Sequence, residues 1–309
     1  MKQAVKVMVT GAGGQVGVDL VDTLGALAPP GSDPGFQPDE RPVARGEFVV
    51  TGLNHRDLDV TDQSAVMDAV VSIRPDVIVH LAAYTAVDRA ETERDRCFSV
   101  NEGGTASMSH AARSIGAHLI AVSTDYVFDG TKGEAYVEGD PTNPLSVYGA
   151  SKRAGELFCT DRDTIVRTSW VMGVRGKNVV HAIAARAKSG ECVRFVDDQM
   201  GTVTTAGDLA RALVTLARER VGGVWHVANS DATTWFEIAT YVGQLSGRGD
   251  DFATAISTEE LLPPQLAARP RRSDLSTQKF SRIWSPLPDW HDGVARLVNS
   301  IERMSQATP

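Results

Sequence analysis

The sequence predicts an α/β protein: a doubly wound parallel sheet with a smaller, mixed C-terminal substrate domain. Three observations predict it. The apolar run Val5-Lys6-Val7-Met8-Val9-Thr10 passes directly into the glycine turn Gly11-Ala12-Gly13-Gly14-Gln15-Val16-Gly17 and then into a helical stretch through Leu24. Apolar runs and helical stretches then alternate to about residue 170, the pattern of a parallel sheet with right-handed crossovers. Beyond that point the alternation weakens. The expected division is a dinucleotide-binding domain over 1–170, to which 201–230 returns, and a mainly substrate-binding region over 171–309.

The opening segment carries the first functional expectation. Gly11, Gly14 and Gly17 stand at Gly-x-x-Gly-x-x-Gly spacing between a strand and a helix start. A dinucleotide diphosphate needs backbone free of side chains and the unpaired N–H groups and positive dipole end of a helix. This strand–turn–helix therefore reads as a Rossmann-like cofactor site. Residues 28–46, rich in Pro and Gly, read as a surface insertion. Phe48 to Leu53 is the second strand, and its end reads Asn54-His55-Arg56. A ribose-binding carboxylate would ordinarily stand there. Its place is taken by a region in which Arg56 can meet a 2′-phosphate, which favours NADPH and leaves NADH as the alternative.

The following elements continue the alternation. Gln63 to Ile73 is an amphipathic helix capped by Thr61 or Asp62. Pro75 to Ala83 contains the next strand, with small residues at its carboxyl end. Asn101 to Ile115 is a helix, and His118 to Tyr126 a strand that turns polar at Thr124, which would face the same crevice as the glycine turn. Thr164 to Val171 is a strand ending near Trp170, which can stack on a ligand or pack in the core. Asn178 to Ser189 is a helix, 197–202 a polar turn, Asp208 to Arg218 a helix and Gly223 to Ala228 a strand. From Thr234 onward the chain reads as helical with irregular links.

Tyr148 and Lys152 are four residues apart and share a helix face, in a helix expected to be capped by Asn143 with Pro144 in its first turn. A lysine one turn away stabilises a phenolate, lowering a group whose ordinary pKa is about 10 and easing its use as a proton donor. The same spacing occurs in ordinary surface helices, so the pair gains meaning only from the cofactor signals before it.

Composition narrows the function classes. The formal net charge is -8 and no dense basic stripe occurs, which argues against nucleic acid or an anionic membrane as partner. The run Arg269 to Arg272 suits either a phosphate-bearing small molecule or a solvated turn. Cys97, Cys159 and Cys192 have neither zinc nor disulfide spacing, so no metal site is expected. No signal peptide pattern opens the chain and no apolar run reaches the roughly 20 residues of a membrane span, so a cytoplasmic setting is expected.

Together these pieces resemble the extended short-chain dehydrogenase/reductase superfamily, and within it the dTDP-4-dehydrorhamnose reductases. The resemblance spans nearly the whole chain. Its most specific segments are Ser123-Thr124-Asp125-Tyr126-Val127-Phe128, Arg167-Thr168-Ser169-Trp170 and Arg269-Pro270-Arg271-Arg272-Ser273. It implies a catalytic set of Thr124, Tyr148 and Lys152. It implies cofactor contacts at Gly14, Gln15, Val16, Asp59, Val60, Ala83, Tyr84 and Thr85. It also implies substrate contacts at Thr124, Asp125, Tyr126 and Trp170, with Gln199, Arg271 and Arg272 towards the nucleotide. The implied reaction reduces the C4 ketone of a dTDP-linked 4-keto-6-deoxy sugar, dTDP-4-dehydro-6-deoxy-L-mannose, to dTDP-L-rhamnose with NADPH. A homodimer is compatible with it. Val203 stands where the family usually has proline. Three other readings stay open: an NAD-retaining epimerase or dehydratase, a reductase of another nucleotide-linked 4-keto sugar, and a non-catalytic regulatory subunit like that of methionine adenosyltransferase.

Overall fold

The computed structural model describes residues 3–27 and 38–307, with side chains to 304. The insertion expected over 28–46 therefore lies partly outside the described residues. Among the described residues there are twelve strands: β1 Val5–Thr10, β2 Phe48–Leu53, β3 Val77–His80, β4 His118–Thr124, β5 Thr164–Thr168, β6 Val171–Met172, β7 Val193–Val196, β8 Met200–Thr202, β9 Thr204–Thr205, β10 Gly223–His226, β11 Ala232–Thr234 and β12 Ala253–Ile256. The longer helices are α1 Gln15–Leu24, α2 Gln63–Ile73, α3 Gly104–Ile115, α4 Val147–Glu156, α5 Val179–Ser189, α6 Ala206–Glu219, α7 Trp235–Leu245 and α8 Trp290–Ala307.

Six strands form one sheet in the order β10-β5-β4-β3-β1-β2. Every pairing in it is parallel. Strand alternation assigns its two faces. Val7 and Val9 of β1 point into a core with Leu20 and Leu24 of α1 and Leu209, Leu213 and Leu216 of α6. Met8 points the other way, with Ile78 and Leu119, against Val66 and Val70 of α2 and Met108 of α3. Helices on both faces make the sheet doubly wound, as the alternation in sequence predicted. Within 201–230, β10 completes the sheet and α6 covers one face.

A second core gathers Val180 and Ile183 of α5, Ile238 and Val242 of α7, Phe252, and Val294 and Leu297 of α8. Short ladders tie this lobe together: β7 with β12 parallel, β8 with β11 antiparallel, and β6 with β9 parallel. Three readings are corrected here. Residues 197–202 were expected as a turn, yet Met200–Thr202 is a strand, because β11 supplies its hydrogen-bonding edge. The stretch after Thr234 was expected to be helical, yet Ala253–Ile256 pairs with Val193–Val196. Both segments are too short for a period to show, and pairing with a distant partner decides them. The helix expected from Asn101 extends further back, through a helical turn at Arg94–Phe98 and a π-helical turn at Ser99–Gly103.

Candidate active site

The glycine turn is shaped by close backbone approach. Gly11 lies at φ 67°, and a Cβ there would sit 2.7 Å from the Ala82 amide nitrogen. A Cβ on Gly17 would lie 2.2 Å from the Gly11 carbonyl oxygen. Side chains are thus excluded where β1, β3 and α1 converge. Gly14 is the N-cap of α1 and supplies no side-chain cap, so the first amides of the helix remain for an anion. These residues fit a dinucleotide diphosphate.

A cleft of about 1070 Å³ opens above the carboxyl ends of the sheet strands. It is lined by Gly11, Gly14, Gln15, Val16 and Gly17, by Arg56, Asp59 and Val60, and by Ala83, Tyr84 and Thr85. Thr124, Asp125, Tyr126, Tyr148, Lys152 and Trp170 line the same space. Asn54 and Arg56 stand exposed at the end of β2, where the Asn54 side chain accepts the Arg56 amide at 2.8 Å. The Asp59 carboxylate accepts the amide and hydroxyl of Thr61, and those bonds hold its pKa below the ordinary value. It is therefore an ionised turn-former on the rim.

Helix α4 carries the reactive pair. Its cap is Ser146, whose Oγ accepts the Gly149 amide at 3.1 Å, and not Asn143. Asn143 instead donates to Asp129, and the chain enters the helix only after Leu145. Lys152 is 7% exposed and its Nζ donates to the Val122 carbonyl at 2.6 Å. Burial pulls the ammonium down to about 8, against the raising influence of Glu156. Burial pushes the Tyr148 phenol up, opposed by its hydrogen bond with Thr124. The expected lowering of the phenol by Lys152 is not met in this arrangement, since the ammonium is turned to the β4 carbonyl. Tyr148 is thus a neutral, protonated phenol at pH 7.

Thr124 is held from three sides. Its hydroxyl donates to Asp125 at 3.0 Å, accepts the Tyr126 amide at 3.2 Å and meets Tyr148. Asp125 is 2% exposed, accepts the Ser273 hydroxyl at 2.6 Å, and is pushed up to about 7 by burial. Asp88 binds Arg269 at 3.0 and 2.7 Å, and Arg269 also reaches the Tyr126 phenol. That guanidinium holds the Asp88 carboxyl down to about 2. Two carboxylates of the sheet lobe, Asp88 and Asp125, therefore anchor the segment 266–273.

Three expected substrate contacts are not brought into the cleft. Gln199 is 4% exposed and its amide donates to Thr258 and Gln265, locking a turn. Arg272 is paired with Asp274 at 2.7 Å and donates to the Gly133 carbonyl. Arg271 is exposed, and its carbonyl accepts the Met200 amide. The Arg-rich run spends Arg269 and Arg272 on carboxylates, so its charge is largely internal.

Other residues of the site had no clear signal in the sequence. Asn101, in the π-turn, accepts the Tyr84 amide at 2.9 Å, donates to the Tyr84 carbonyl at 3.1 Å, and donates to Ser151 on α4 at 2.9 Å. It ties the cofactor-side loop to the helix of Tyr148; a buried Asn in a small-residue stretch was its only trace. Trp235 at the start of α7 stacks on Trp170 with centroids 4.1 Å apart, making a two-indole wall. Trp170 has a φ of 43°, an uncommon backbone for a bulky residue and one that marks a constrained site. Among the described residues no cluster of His, Cys, Asp or Glu is arranged to hold a metal ion, and no helix is long and apolar enough to cross a membrane.

Comparison with known proteins agrees with this geometry. The family described as RmlD substrate binding domain matches residues 5–303. The dTDP-4-dehydrorhamnose reductase of Streptomyces griseus is 37% identical over 293 residues, covering 92% of this chain and 90% of its own. The dTDP-4-keto-6-deoxy-D-glucose reductase of Streptomyces niveus is 34% identical over 288 residues, covering 92% and 93%. The crystal structure of dTDP-4-dehydrorhamnose reductase from Bacillus anthracis in complex with NADP superposes with a TM-score of 0.83 at 33% identity, over 95% of this chain and 98% of that one. A glycine cradle, a Thr–Tyr–Lys cluster and matches of this length lead to one conclusion: the chain belongs to the RmlD substrate binding domain family, the family of the dTDP-4-dehydrorhamnose reductases.

Proposed function

We propose that this protein is an NADPH-dependent reductase that converts dTDP-4-dehydro-6-deoxy-L-mannose to dTDP-L-rhamnose. The observation that carries the reading is the opening of the glycine cradle and of the Thr124–Tyr148–Lys152 cluster into one cleft. With its diphosphate held by the glycine cradle, the reduced cofactor would supply the hydride for C4 of the sugar. Charge then grows on the ketone oxygen, and a donor placed there lowers the barrier. Tyr148 gives its proton to that oxygen. Thr124 orients the phenol and the ketone, and the Lys152 ammonium would hold the nicotinamide ribose. Arg56 favours the 2′-phosphate of NADPH, and NADH is the weaker alternative. Trp170 and Trp235 form the apolar side against which the 6-deoxy sugar packs. Residues 1–170 with 201–230 serve the cofactor, the remainder the sugar nucleotide. A cytoplasmic homodimer is the assembly in keeping with this reading.

The test is NADPH and NADH oxidation, followed by absorbance, with enzymatically generated dTDP-4-dehydro-6-deoxy-L-mannose. Turnover to dTDP-L-rhamnose is expected, faster with NADPH. Turnover only with another 4-keto sugar, as the Streptomyces niveus relative's name suggests, would replace the substrate but keep the chemistry. Cofactor binding without any turnover would favour the regulatory reading.

A pH dependence follows from Lys152. Its pKa of about 8 lies below the ordinary 10.5, so the charged form is lost as pH rises through 8. kcat/KM, which reports the free enzyme, should be level below that pH and fall above it. A profile that stays flat through that pH would remove the ammonium from the mechanism.

A further inference from the structure

The segment Gly173–Asn178, which follows β6 in the second lobe, is laid directly on the glycine turn. The Gln15 Oε1 accepts both the Gly173 amide and the Asn178 side-chain amide, each at 2.9 Å. The Asn178 amide also reaches the Gly173 carbonyl at 2.7 Å, closing the loop. Gly176 sits against the Gln15 side chain, close enough that a Cβ there would lie 3.0 Å from Cγ. Gln15 is the first residue of α1, so this loop covers the helix start that presents unpaired amides.

The cations of the cleft are mostly engaged. Arg96 pairs with Glu93, and Lys152 donates to the Val122 carbonyl. Within the loop itself Arg175 is paired with Asp22 at 2.8 Å, and the Asn178 Oδ1 caps α5 by accepting the Val180 and His181 amides. Lys177 is different. It is exposed, lines the same cleft as Gly11, Gly13, Gly14 and Gln15, and forms no ion pair with the described residues. On one side Gly176 packs against Gln15 and on the other the Asn178 side chain is bonded to it, so the Lys177 backbone is held beside the glycine cradle, within reach of its side chain. Arg56, the other exposed lining cation with no carboxylate partner among the described residues, stands at the end of β2.

We infer that Lys177 is a binding residue for the diphosphate of the dinucleotide, delivered to the glycine turn by the second lobe through Gln15. The inference rests on the dinucleotide reading above and adds a division of labour to it. Backbone amides of α1 and the Lys177 ammonium meet the diphosphate, while Arg56 meets the 2′-phosphate. Cofactor binding then draws on both lobes.

The test is equilibrium titration of the full chain and of Lys177→Met and Lys177→Arg with NADPH and with NADH. No sugar nucleotide is present, so a diphosphate on the sugar cannot contribute. A solvent-facing charge-assisted contact gives a change on the order of tenfold. Lys177→Met should weaken NADPH and NADH by the same factor and flatten the salt dependence of both, and Lys177→Arg should restore them. Weakening of NADPH alone would move Lys177 to the 2′-phosphate and overturn the assignment, as would unchanged affinity for both. Failure of the unsubstituted chain to bind either cofactor would instead remove the dinucleotide reading, and this inference with it.

Discussion

Tyr148→Phe should reduce turnover by about 10²–10⁴-fold, the usual contribution of a positioned general acid, while cofactor affinity stays close to its starting value. The asymmetry comes from geometry. The phenol oxygen is the only atom removed, and its partner in this structure is the Thr124 hydroxyl. Thr124 keeps its bonds to Asp125 and to the Tyr126 amide, so the hydroxyl stays ordered after the substitution. The tyrosine ring also packs edge-on against Tyr126 at 6.0 Å between centroids, and phenylalanine preserves that contact. Steady-state kcat with the keto sugar and NADPH, set beside NADPH affinity by titration, is the measurement. A variant with unaltered kcat would take the proton-donor role away from Tyr148. A variant that loses kcat and cofactor binding together would make the residue a cofactor ligand first.

The sheet lobe was legible because its signals are local. Val7 and Val9 face one helix layer and Met8 the other, and each buried run is closed by turn residues that the period alone exposes. Gly11 and Gly17 were legible for a different reason: a turn this tight admits nothing larger, so chemistry and spacing coincide. The second lobe was hard to read because β7 and β8 are held by strands far along the chain, β12 and β11. Within the site, Tyr148 and Lys152 could be found because a helix sets their relation. Gln199, Arg271 and Arg272 lie outside the cleft lining, which their residue types could not tell, because a type says nothing about which carboxylate or amide will claim it. Asp274 lies two residues beyond Arg272 and neutralises it. Asn101 and Trp235 act through contacts with Tyr84 and Trp170 that no spacing records.

Arg167→Met should lower stability by about 3–5 kcal/mol, the cost of leaving a buried charge without its partner. Arg167 and Glu156 are nearly solvent-free, with side chains 5% and 4% exposed. The guanidinium donates to both carboxylate oxygens, at 3.0 and 2.8 Å, and Ser123 adds a third donor at 2.5 Å. Glu156 lies one turn beyond Lys152 on α4, and Arg167 and Ser123 lie on β5 and β4. This triad therefore pins the helix of Tyr148 and Lys152 to the sheet. Removing the arginine leaves the buried Glu156 carboxylate with only the Ser123 hydroxyl and the more distant Arg153, at 3.7 Å, and frees that end of the helix. The double variant Glu156→Leu/Arg167→Met removes both charges and should recover much of the loss, because apolar groups of similar size often replace a buried pair at little cost. Urea unfolding midpoints give the stabilities, and NADPH titration shows whether α4 keeps its place. A single variant as stable as the starting protein would mean that water or a neighbouring group solvates Glu156. A double variant that regains stability without regaining activity would separate the two roles: the pair would then position Lys152, beyond merely holding the helix.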